Sequence, residues 1–283
     1  MIINDAIANL ERQFPYSELL KLDFFKKYRD HYYDMQNNGY QREPRNYYNL
    51  LLYLSEIHAY NEQHARGFVK RLKTESKDWK NGEAIFSEII VYRYYIRPTY
   101  EGLIKGINKI NNECDIIIEL LDGTKHYLEV FCVMPNFRMP SNNEEIIVND
   151  VKTHTQTEIA SIRQKLLRKI GKQKQLTKPR NNFAVIELND PLIAGDFAIL
   201  SSLSDGYKIT INKETMEKTS EGYDWTRSVF HDESTKFLKG IIYFSLGNYE
   251  SRKFIFNPLF QKCANTEQMG SIDRQSAALL GGN

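Results

Sequence analysis

One segment constrains the fold of this chain more than any other: Glu113-Cys-Asp-Ile-Ile-Ile-Glu-Leu-Leu-Asp-Gly-Thr-Lys-His-Tyr-Leu-Glu-Val-Phe131. Asp122-Gly123 is a tight-turn signal, and the β-branched and aromatic residues on either side predict two short strands joined there. Side chains alternate across a strand. Asp115, Ile117 and Glu119 therefore share one face of the first strand, and Tyr127, Glu129 and Phe131 one face of the second. Glu129 lies between Leu128 and Val130 in a strand that should be largely buried. Buried carboxylates are rare unless paired or metal-bound. Two carboxylates brought together on such strands make a hard-oxygen site suited to Mg²⁺ or Mn²⁺.

The elements around this hairpin follow from periodicity and breakers. Residues 1–78 read as a helical N-terminal region. Ser17 is a candidate N-cap before Leu19, Leu20 and Leu22, and Tyr47 to Ile57 carries apolar positions at helical spacing after Glu43-Pro44. Phe24, Phe25, Tyr28, Tyr32, Tyr33 and Tyr40 are interleaved with Lys26, Lys27 and Arg29. Such aromatics can stack on bases, but the stronger expectation is packing between amphipathic helices. A long helix is expected from Asp78 to Ile96, ended by Pro98 and Gly102, with a loop leading to the Asp115 strand. A polar connector at 138–150 includes Glu144 and Glu145, and a helix over 151–176 has Ile159, Ile162, Leu166 and Ile170 on one stripe. Phe183 to Leu188, Gly240 to Ser245 and Lys253 to Asn257 read as strands, and 265–283 as a small, polar tail.

This order resembles the PD-(D/E)XK superfamily of nucleases, the restriction-endonuclease-like fold. In that pattern an Asp opens one strand, Glu-x-Lys sits on the next, and an acid lies on a preceding helix. Asp115 matches the Asp, Glu129-Val130-Phe131 matches Glu-x-Lys except at its last position, and Glu88 in Phe86-Ser-Glu-Ile-Ile matches the helix acid. The resemblance covers roughly residues 79 to 260. It implies an α/β fold with an αβββαβ core around a central mixed sheet at 79–264. Asp115, Glu129 and the Val130 carbonyl would be metal ligands, and Glu88 a supporting acid. Phe131 replaces the lysine that positions water and stabilises the transition state. A relocated cation would then come from Lys169 or Lys172, which lie near one another on a helix at i, i+3. Lys172-Gln-Lys-Gln175-Leu176 also resembles a family pattern that places a glutamine at the site.

Charge distribution points the same way. The net charge is only +2, yet Arg163, Lys165, Arg168, Lys169, Lys172, Lys174, Lys178 and Arg180 follow one another with no acid between them. A second run holds Arg66, Lys70, Arg71, Lys73, Lys77 and Lys80. Such runs attract phosphate backbones, with Arg163, Lys165, Arg168 and Gln175 as the contacts to nucleic acid. The six histidines are scattered and no Cys-x-x-Cys accompanies Cys114 and Cys132, so these cysteines read as small core residues rather than soft-metal ligands. No Gly-x-Ser-x-Gly elbow or phosphate-binding glycine loop is present. Nothing approaches the roughly 18 apolar residues of a membrane span. An odd number of cysteines and no signal peptide point to a reduced, cytoplasmic setting.

These readings converge on a metal-dependent endonuclease acting on DNA, or RNA, with Mg²⁺ or Mn²⁺. The alternative is a degenerate nuclease-fold module that binds nucleic acid or a protein partner. A third reading makes the aromatic N-terminal helices a homodimer interface.

Overall fold

The computed structural model describes residues 2–37, 44–110, 114–134, 179–189, 204, 206–212, 215, 217–235 and 237–257. The connector at 138–150, the tail at 265–283 and the helix expected over 151–176, with Arg163, Lys165, Arg168, Lys169, Lys172 and Gln175, lie outside them.

Five helices precede the first strand: α1 (Ile2–Gln13), α2 (Asp23–Asn37), α3 (Tyr47–Tyr60), α4 (Glu62–Glu75) and α5 (Trp79–Tyr100). Three begin at side-chain caps. Asn46 Oδ1 accepts from Asn49 N–H at 2.8 Å, Asn61 Oδ1 from His64 N–H at 3.0 Å and Asp78 Oδ1 from Lys80 N–H at 2.9 Å. Asn61 both ends α3 and starts α4. Ser17 is not a cap. It opens a short 3-10 helix, Ser17–Lys21, whose preceding residue Tyr16 makes no side-chain capping bond. The aromatics of α2 pack: Phe24, Phe25, Tyr28 and Tyr32 are all buried. Pro98 does not end α5, which runs on to Tyr100. Its missing N–H falls in the last turn, and its carbonyl accepts from Leu103 N–H at 2.9 Å. Gly102, at φ +69°, then takes the left-handed conformation that closes the helix.

The strands are β1 (Gly106–Ile110), β2 (Cys114–Glu119), β3 (Lys125–Val133), β4 (Asn181–Leu188), β5 (Tyr207–Ile211), β6 (Lys218–Tyr223), β7 (Leu238–Ser245) and β8 (Asn248–Phe256). Six form a mixed sheet in the order β1-β2-β3-β4-β7-β8, and β5 and β6 form a separate antiparallel pair. β1, β2 and β3 are an antiparallel meander, β3-β4-β7 run parallel, and β8 returns antiparallel at the far edge. The protein is thus a mixed α/β fold. The expected loop between α5 and the Asp115 strand instead holds β1, an edge strand of five residues.

Alternation along the strands divides the core. Ile116, Ile118, Leu128, Val130, Phe183, Val185, Ile242 and Phe244 face α5 and share one apolar cluster with Ile7, Phe25, Leu54 and Phe68. This core runs across the boundary expected at residue 78. Phe131, Val133, Ala184, Ile186, Leu188, Ile241 and Tyr243 form a second cluster on the opposite face, with Val229 and Phe230.

Candidate active site

The β2–β3 hairpin turns at Gly123, φ +84°, where Asp122 Oδ1 accepts from Thr124 N–H at 2.8 Å. The positive φ is the conformation for which glycine carries no steric cost. Register from this turn pairs Ile118 with His126, Ile117 with Tyr127 and Ile116 with Leu128. One further step sets Asp115 opposite Glu129. The β2–β3 ladder stops at Ile116, while Cys114 pairs with Ile110 of β1. In the gap the Asp115 side chain takes over: its Oδ2 accepts from Val130 N–H at 2.8 Å. This bond fixes the Asp115 carboxylate beside the main chain of Glu129 and Val130. Glu129 itself is 1% exposed and Asp115 is half-buried.

Glu88 is buried on α5 but is held differently. Its carboxylate pairs with Arg71 of α4, and its Oε2 accepts from Lys109 Nζ at 3.1 Å. Burial works against the charge on Arg71, and the carboxylates of Glu88, Glu75 and Asp115 more than offset it, so its pKa is raised. Lys109 also lies 3.8 Å from the centre of the Phe68 ring, a cation–π contact. These contacts place Glu88 and Lys109 on the helical side of the sheet. The alternation of β3 puts Glu129 on the other side, with Phe131. Glu88 is therefore coupled to the Asp115–Glu129 pair through Arg71 rather than placed beside it. Lys109 was not singled out by sequence reasoning. Its only signal was its place in the alternating stretch Gly106-Ile-Asn-Lys-Ile110.

Phe131, in the position of the motif lysine, is 9% exposed and packs with Val133, Ile186 and Tyr243. Of the second basic run, Arg66 pairs with Glu62 at 2.6 Å and Lys73 with Glu18 at 2.8 Å, which lowers its local potential. Lys70, Lys77 and Lys80 are exposed.

A second charged group went unread in the sequence. Arg45 is buried between two buried carboxylates, with Nη1 2.6 Å from Glu187 Oε2 and Nη2 2.7 Å from Glu83 Oε2. Tyr28 Oη donates to Glu83 at 2.6 Å, Asn189 Nδ2 donates to Glu83 at 2.9 Å, and Ser87 Oγ donates to Glu187. Burial pushes the nearby Cys132 thiol up to about 12.

Among the described residues no three or more His, Cys, Asp or Glu side chains are gathered as a metal cluster. The chemistry of the Asp115–Glu129 pair nonetheless fits part of a hard-cation shell: two carboxylates, one nearly fully buried, beside a β3 main chain that can add a carbonyl oxygen where the β2–β3 ladder opens. Among the described residues no helix is long and apolar enough to cross a membrane. Comparison with protein-family models, with curated proteins and with solved structures finds no match.

Proposed function

We propose that this protein is a metal-dependent nuclease with a restriction-endonuclease-like core, hydrolysing phosphodiester bonds of DNA at the Asp115–Glu129 pair. The observation that carries the reading is the Asp115–Val130 hydrogen bond, 2.8 Å long, which holds the Asp115 carboxylate against the β3 main chain next to Glu129, where the β2–β3 ladder opens. The element order supports it. A long helix, α5, leads into an antiparallel β1-β2-β3 meander, followed by β4 parallel to β3.

Asp115, Glu129 and the Val130 carbonyl would hold Mg²⁺ or Mn²⁺. A bound ion of this kind supplies an activated water and neutralises charge developing on the phosphate. Asp115 is oriented by the Val130 N–H before substrate arrives, and Glu129, the residue before Val130, is buried in β3. Arg71 and Lys109 pair with Glu88 and add positive potential near Asp115. Lys169 or Lys172 would supply the cation that Phe131 cannot, with Gln175, Arg163, Lys165 and Arg168 along the nucleic acid.

Titration calorimetry with Mn²⁺ tests the site directly. The wild type should bind the ion, and Asp115→Ala and Glu129→Gln should each lose most of that heat. Binding left unchanged by both substitutions would remove the pair from the reading. Phe131 favours a second reading, in which the fold grips nucleic acid without cutting it, because an apolar ring packed among Val133 and Ile186 offers no ammonium. That module would retain DNA in a chelator, with an affinity that falls steeply with salt.

A further inference from the structure

Between the start of α3, the middle of α5 and the β7–β8 turn lies a cleft of about 300 Å³, at the lower end of the range for small-molecule sites. Tyr48, Tyr53, Tyr94 and Tyr249 line it, together with Arg93 and Glu250. Tyr48, Tyr53 and Tyr94 are half-buried, so their rings are partly open to it. We propose that this cleft accepts an unpaired nucleobase of a single-stranded nucleic acid. The inference rests on the nucleic-acid reading above and adds a binding site that the reading does not contain.

Aromatic side chains offer a base a stacking surface that is indifferent to sequence, because every base has a π-face. An aromatic cluster can also hold an organic cation, and the charges here decide against that. Arg93 already lies over the Tyr53 ring at 4.9 Å and Arg252 over the Tyr94 ring at 4.1 Å. A cationic ligand would meet two guanidinium groups on the rings it needs. A neutral planar ligand meets surfaces extended by them. Arg93 is itself held by Glu56, Nε to Oε2 at 2.5 Å, so the lining carries little net charge and would bind a base rather than a phosphate.

Position supports the same occupant. The residues from Gly247 to Glu250 follow the end of β7, so the cleft lies at the end of the sheet at which β3, β4 and β7 finish, while Glu129 sits mid-strand on β3, level with Ala184 and Ile241. Ligands of open α/β sheets gather at this end.

The test is anisotropy of a short fluorescein-labelled single-stranded DNA with the full chain in EDTA, where no metal-dependent cleavage occurs. Tyr53→Ala and, independently, Tyr48→Ala should each weaken binding about tenfold, the loss expected for one stacked base, with the salt slope unchanged. Tyr53→Phe, which keeps the ring, should bind as the wild type does. Equal affinity of wild type and both alanine variants, or no binding of the single strand, would overturn the proposal. Failure of the nuclease reading is seen separately, as absence of cleavage by the wild type in Mg²⁺ or Mn²⁺. That result leaves the tyrosine dependence in EDTA intact.

Discussion

His126 stands three residues before Glu129 on β3, 4% exposed, with its Nδ1 lacking a hydrogen-bond partner among the described residues. Burial, aided by Lys239, lowers its pKa to about 4 from the ordinary 6.5. Between those values the unfolded chain takes up a proton that the folded protein refuses. Stability should therefore fall as pH drops through this window and level off below about 4, by roughly 3 kcal/mol in all. His126→Leu should remove most of that slope, as read from urea midpoints at pH 4.5 and pH 7. An unaltered slope would place the proton uptake elsewhere. Arg45 gives a second prediction at this scale. Arg45→Met leaves Glu83 and Glu187 buried without their common cation and should cost about 3–5 kcal/mol in urea unfolding. The two clusters differ in legibility. Asp115 and Glu129 could be paired from sequence because the Asp122-Gly123 turn sets the register between them. Arg45 and Glu187 are 142 residues apart. No local pattern carries a contact of that separation.

At the scale of the element, α5 carries most of the packing against the sheet. Gly82 in its first half is a point of close approach, since a Cβ there would lie 2.5 Å from the Phe24 ring, which itself packs on Trp79 at 4.9 Å. Helix propensity alone favours alanine over glycine by about 1 kcal/mol. The clash should win, because the ring is buried and has neighbours on its far side, and Gly82→Ala should destabilise by about 1–3 kcal/mol. A variant more stable than wild type in thermal unfolding would show that Phe24 can move aside. The elements themselves were mostly readable. Asp78 marks the start of α5, and β4, β7 and β8 fall on the apolar runs read as strands. The exceptions have physical causes. Pro98 removes one N–H from the ladder, but helical bonds resume beyond it, with Glu101 N–H on the Arg97 carbonyl at 3.0 Å, so the helix outlasts the breaker. β1 is five residues long with a polar outer face, so pairing with β2 defines it more than its own sequence does.

For the whole molecule, the sheet order joins these pieces. The β1-β2-β3 meander presents the carboxylate pair, the parallel β3-β4-β7 block forms the floor, and the β7–β8 turn borders the tyrosine cleft. Within the core, α5, β2 and β3 were readable from helical periodicity and the turn signal, whereas β1 was not. That the N-terminal helices share one core with the sheet was not, because each is amphipathic and its apolar face does not name its partner. The central claim is that Asp115 and Glu129 cut nucleic acid with a divalent ion. It is tested most directly by incubating the full chain with supercoiled plasmid in Mg²⁺, Mn²⁺ or EDTA, beside Asp115→Ala and Glu129→Ala. The account predicts nicking that requires the ion and is lost in both variants. Nicking that persists in either variant or in EDTA, or its absence from the wild type with both ions, would contradict it.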